Sequence, residues 1–99
     1  MPRHTWTVDD DLIAYHVFRF GSRDIDNNVQ EIGVILGMGF NSFNLKLANF
    51  KAIAGQGGME NYTRQSLQVY EKYSKMPDGE ARLAGVEAIG RAFEAYSNR

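Results

Sequence analysis

Three consecutive aspartates, Asp9, Asp10 and Asp11, and two histidines, His4 and His16, are the side chains with the most evident capacity for chemistry. Clustered carboxylates hold divalent cations, and histidines complete metal centres or move protons. The spacing points elsewhere. Consecutive helical residues fan out by roughly 100° each, so three adjacent carboxylates converge poorly on one ion. They follow Thr7, whose hydroxyl can cap the Asp10 N–H while the Asp10 carboxylate reaches back to the Thr7 N–H, and a first helical turn favours negative charge. A charged helix start is therefore expected, with an acidic metal cluster as the alternative. His16 has no second histidine at ligand spacing, and His4 stands near the amino terminus. Without a Gly-x-Ser-x-Gly elbow, a Walker sequence or any cysteine, the chain carries no motif that specifies a reaction and no Cys nucleophile, and is expected to be a non-enzyme with no metal and no cofactor.

A second set of polar residues, Ser42, Asn44, Lys46, Asn49 and Lys51, has the chemistry of DNA contact, because Asn can pair with an adenine edge and Lys with guanine or phosphate. They lie in a stretch from 27 to 54 with helix-turn-helix spacing. Val29, Ile32, Gly33 and Leu36 bury one face of a first short helix, and Phe43, Leu47, Phe50 and Ala54 one face of a second. Gly37-Met38-Gly39-Phe40 makes the corner, where glycine permits the left-handed backbone that ends one helix and re-aims the next. Asp26 or Asn27 is the expected cap of the first, Asn41 or Ser42 of the second. Opposite the buried face of the second lies another apolar stripe, Leu45, Ala48 and Ala52. Either later helices cover it or Leu45 is a dimer contact.

The remaining elements are helical too. Thr7 to Gly21 is one helix with Ile13, Val17 and Phe20 on its apolar face. Arg19 and Arg23 flank the polar connector after it, where they can contact a phosphate backbone or pair with neighbouring aspartates. Gly55-Gln-Gly-Gly is a bend, and Thr63 caps a fourth helix carrying Leu67, Tyr70 and Tyr73, closed by Lys75-Met76-Pro77. From about 79 to 96 runs an amphipathic helix with Leu83, Val86, Ile89 or Gly90, Phe93 and Tyr96 on one side and Glu80, Arg82, Glu87, Arg91 and Glu94 on the other. Gly85 and Gly90 allow close helix packing there, and Phe93 and Tyr96 are interface candidates alongside Leu45. The fold expected is all-α: a single domain over 1–99, about five helices, with a trihelical helix-turn-helix-like core and two C-terminal helices as cover or dimerisation element.

A formal net charge of −1 argues against a strongly electrostatic nucleic-acid binder, although Lys46 and Lys51 face a single acid, Glu31, between 27 and 58. No apolar run approaches the roughly 20 residues that span a bilayer, the amino terminus has no signal-peptide core, and a cytoplasmic location is expected.

The acidic helix entered from Trp6, the EIGVILG helix, SFNLKLANF, the GGMENYT segment and VYEKY together resemble the small helical module at the amino terminus of many bacterial HNH-type restriction endonucleases, over roughly Trp6 to Met76. Ser42, Lys46, Leu47, Asn49 and Phe50 match that family's third-helix pattern; Gly58, Asn61 and Tyr70 to Tyr73 fall at its later positions. Where the family's turn carries an Arg and a Thr or Ser, this chain has Met38-Gly39-Phe40-Asn41. The resemblance implies nucleic-acid recognition or targeting. The histidine and asparagine set of an HNH nuclease is missing. The expectation is thus a small non-enzymatic module that binds or targets double-stranded DNA in restriction or its regulation. The alternative is a protein-interaction or dimerisation module, as a homodimer or as the subunit or regulator of a separate nuclease.

Overall fold

The computed structural model describes residues 5–25, 29–55 and 62–98 and contains five α-helices with no strand among them: α1 (Val8–Phe20), α2 (Val29–Leu36), α3 (Phe40–Ile53), α4 (Arg64–Ser74) and α5 (Asp78–Ser97). The all-α expectation holds. The expected cap at Asp26 or Asn27, positions 56–58 of the bend, Asn61 and His4 lie outside the described residues.

The chain is arranged around α1, which packs against α3, α4 and, most extensively, α5. Its start is as expected: the Thr7 hydroxyl accepts from the Asp10 N–H at 3.0 Å, and an Asp10 carboxylate oxygen accepts from the Thr7 N–H at 3.0 Å. Its surroundings are not. Every residue from Asp10 to Val17 is buried, so the helix is enclosed around its whole circumference and not along one stripe. Phe20, expected on the core face, lies half-buried under the guanidinium groups of Arg19 and Arg82, 5.0 and 4.8 Å from its ring centre.

The corner between α2 and α3 has the expected chemistry, with Gly37 and Gly39 at φ 98° and 87°. Its tightest feature is elsewhere. The Gly39 N–H donates to the Gly33 carbonyl at 2.9 Å, and a Cβ on Gly33 would sit 2.5 Å from the Gly39 carbonyl oxygen. Helix α3 starts at Phe40 without a side-chain cap, earlier than Asn41 or Ser42 would place it, because the turn at Gly39 has already aimed the chain. Thr63 caps α4 as expected, accepting from the Ser66 N–H at 3.0 Å.

Helix α5 is rotated relative to its sequence expectation. Ala81, Gly85, Ala88 and Ile89 face inward, while Leu83 and Val86 are exposed. The reason is the closeness of α1: a Cβ on Gly85 would overlap the His16 ring, lying 2.7 Å from its Cγ and 2.8 Å from its Cβ. Only a residue without a side chain fits beside His16, and with Gly85 turned to that contact Leu83 and Val86 lie outward, while Ile89 remains in the core. Gly90, also expected to serve packing, is exposed, with nothing within 4 Å of a Cβ placed on it.

Gly85→Ala should therefore lower the unfolding free energy by about 1–3 kcal/mol through overpacking. Gly90→Ala should leave it unchanged or raise it by up to about 1 kcal/mol through helix propensity. Urea denaturation of the two variants gives the comparison, and equal effects would refute the assigned rotation of α5.

Candidate functional site

The three aspartates of the first turn diverge to three partners. Asp10 closes its own cap. Asp9 accepts two hydrogen bonds from Arg91 of α5, both 2.9 Å, which hold its carboxyl below the ordinary value of 3.8. Asp11, with 0% exposure, turns inward toward α3 and α4. This is the fan that helical geometry dictates, and the carboxylates do not converge on a common point. Among the described residues no group of three or more His, Cys, Asp or Glu side chains is placed to hold a metal ion.

Asp11 sits in the most developed polar arrangement of the fold. Its Oδ1 lies 3.2 Å from Lys46 Nζ and accepts from the Ser66 hydroxyl at 2.9 Å; its Oδ2 accepts from Gln65 Nε2 at 2.5 Å. Lys46 Nζ donates to Ser66 Oγ at 2.9 Å, and Thr63 Oγ1 donates to the same oxygen. The half-buried ring of Trp6 covers the ammonium, 4.6 Å from ring centre to Nζ, and the Trp6 carbonyl accepts from Gln65 at 3.0 Å. A serine beside a lysine is a nucleophile-and-base combination in principle. Here Ser66 is fully enclosed and the lysine is matched to a carboxylate, so no substrate can reach the hydroxyl. The arrangement is a polar clamp joining α1, α3 and α4.

That placement corrects the expected DNA-contact set. Lys46, at 4% exposure, has its charge matched inside the protein and has none to offer a phosphate. The buried stripe of α3 comprises Phe43, Lys46 and Phe50, rotated toward the edge that the sequence assigned to a partner. Arg19 is likewise engaged. Its guanidinium donates to the carbonyls of Tyr73 and Met76 at 2.8 and 3.1 Å, to Asp78 at 2.6 Å and to the Tyr15 hydroxyl at 3.3 Å, tying α1 to the α4–α5 corner. Ser42, Asn44, Lys51 and Arg23 are exposed and Asn49 half-buried. Of the α3 cations, Lys51 alone faces outward. The interface candidates differ from one another: Leu45 is 53% exposed, Tyr96 is exposed, and Phe93 packs half-buried against the core. Of the Leu45 stripe, Leu45 itself is exposed, while Ala48 and Ala52 are half-buried.

Two features had no counterpart in the sequence expectations. Gln65 and Ser66 complete the clamp, and the only sequence signal for them is their position in the first turn after the Thr63 cap. An open groove of about 360 Å³ runs between α1, α3 and α4, lined by Tyr15, Phe18, Arg19, Ala54, Tyr70 and Ser74. Tyr15 is packed edge-on against Phe50 and Tyr70, and burial raises its hydroxyl above the usual 10.0. The groove's cation, Arg19, is already committed to four acceptors.

His16 is buried. Its Nε2 stands 3.2 Å from Asp24 Oδ2, but the ring N–H is not aligned with that oxygen, and Nδ1, facing Gly85, is without a hydrogen-bond partner among the described residues. Burial lowers its proton affinity below the ordinary 6.5, outweighing the pull of Asp24.

Comparison with family models, with curated proteins and with solved structures finds no match to this chain. The likeness to the restriction-endonuclease module rests on its motif residues alone, and one of them, Lys46, is a structural residue here.

Two outcomes follow. Asp11→Ala should cost about 3–5 kcal/mol, since it strands a buried ammonium, while Asp11→Asn combined with Lys46→Met should cost less than the sum of the single changes. Trp6 fluorescence during urea unfolding reports both, and simple additivity would dissolve the clamp. For His16, the unfolded chain takes up a proton near pH 6.5 and the folded chain resists it. Its stabilising contribution is full above that pH and is lost as pH falls below it. The urea midpoint should therefore drop between pH 7 and 5, and His16→Asn should flatten that drop; a decline that begins only below pH 4 would assign it to carboxylates such as Asp9.

Proposed function

We propose that this chain is a small helical protein-interaction module which self-associates through the outward face of α3 and has no catalytic activity of its own. The observation that carries this reading is the disposition of two adjacent residues. Leu45 faces outward and Lys46 inward, so α3 presents an exposed leucine flanked by the half-buried Ala48 and Ala52 where a DNA reader needs positive charge. Such a surface on a helix gains by burial against a second apolar surface. Ala48 near its middle allows close approach of a partner helix, and Asn41 and Asn44 beside it can hydrogen-bond across an interface without a charge to desolvate. In view of the motif resemblance, we place the module with restriction or its regulation, as a subunit or regulator of a separately encoded nuclease.

DNA targeting is the rival reading, favoured by the exposure of Ser42, Asn44 and Lys51 on one helix and of Arg23 on the connector. It proceeds without Lys46 and Arg19.

One pair of measurements separates the readings. Light scattering should find a dimer at micromolar concentration that Leu45→Glu converts to a monomer, with helical content unchanged. Fluorescence anisotropy with random duplex DNA at low salt, where counterion release most favours binding, should show no complex. A wild-type monomer would remove the self-association reading. A duplex complex weakened by Lys51→Ala would establish the rival.

A further inference from the structure

Helix α5 carries a second uncovered surface, on the side opposite α1. Leu83 and Val86 are 58% and 40% exposed there, and Gly90 continues the same ridge one turn further on, with open space around it. The spacing 83, 86, 90 is that of an a/d seam, the pattern by which one helix accepts another. Along one edge of the ridge run Glu80, Glu87 and Glu94, all exposed, at intervals of seven residues and so about 10.5 Å apart. The hydrogen-bonded ion pairs of this helix's arginines lie elsewhere, Arg82 with Asp24 and Arg91 with Asp9; Arg91 also attracts Glu87, one turn before it, while Glu80 and Glu94 have no such neighbour on the helix. No ion pair to any of the three glutamates occurs among the described residues.

We propose that this ridge docks a basic amphipathic helix of a partner protein, its apolar face on Leu83 and Val86 and its lysines or arginines along the Glu80–Glu87–Glu94 edge. The charge pattern selects that occupant. Nucleic acid and anionic membrane are repelled by the glutamate row. A second copy of α5 would bring another glutamate row and, on the facing edge, an Arg82 already engaged by Asp24. A cationic helix turns each glutamate into an interhelical pair of the kind that sets partner choice in coiled coils. The surface is separate from the Leu45 face of α3, and the proposal rests on the interaction-module reading only in its general sense.

The probe is a fluorescein-labelled three-heptad peptide with leucine at the core positions and lysine at the flanking ones, compared with its glutamate counterpart by anisotropy on the full chain. The lysine peptide should bind, more weakly as salt rises, and the glutamate peptide should not. Leu83→Ser with Val86→Ser should weaken binding by about tenfold or more, equivalent to 1.4 kcal/mol. Changing Glu80, Glu87 and Glu94 together to Lys should reverse the preference between the peptides. Leu45→Glu should leave binding unchanged, which keeps this test independent of the α3 face. Absence of binding by the lysine peptide, binding that survives the triple charge reversal, or binding lost in Leu45→Glu would each overturn the proposal. All of the substituted side chains are exposed, and an unchanged thermal midpoint confirms that the variants remain folded.

Discussion

A lysine ammonium held 3.2 Å from a fully enclosed carboxylate joins α3 to α1, and the Ser66 hydroxyl seated between them adds α4. At an effective dielectric near 20, two such charges about 4 Å apart attract by about 4 kcal/mol, while removing each from water costs several. The two terms nearly cancel, so the pair contributes little net stability. Its contribution is selection. Helix α3 has two apolar faces, one through Phe43 and Phe50 and one through Leu45 and Ala48, and either could cover a core. Asp11 meets Lys46 only when the Phe43 face turns inward. The hydrogen bonds from Ser66 and Gln65 and the cover of Trp6 make any other rotation costly, because it would leave Asp11 buried and unpaired.

Local signals located most of the fold. Helix ends are set by short-range chemistry, and Thr7, Gly21, Gly37, Thr63 and Pro77 mark them where caps and breakers should. What stayed hidden was rotation. Hydrophobic periodicity assumes that the larger apolar residue turns inward, and at two places tertiary geometry reverses the assumption. On α5 the approach of His16 admits Gly85 and the alanines and expels Leu83 and Val86. On α3 a charge is drawn inward by a carboxylate thirty-five positions earlier, a relation that no local pattern encodes. The triple aspartate shows the same limit from the other side: its fan was legible in the sequence, but the identity of the partners of Asp9 and Asp11 was not.

The same rotations shape the molecular surface. By taking Lys46 and Arg19 into structural roles, the fold removes positive charge from the region where a nucleic-acid reader would need it. By expelling Leu45, Leu83 and Val86, it leaves apolar residues on two helices. Packing in the interior and the exposure of these apolar side chains are thus two results of one set of close contacts around α1.

Competitive labelling of lysine amines under native conditions, read by peptide mass spectrometry, tests the inward position of Lys46 most directly. Lys46 should acetylate more than about tenfold more slowly than Lys51 on the same helix, protection of at least 1.4 kcal/mol, and should lose that protection in denaturing urea. Equal labelling of Lys46 and Lys51 in the native protein would contradict the clamp and return Lys46 to the surface.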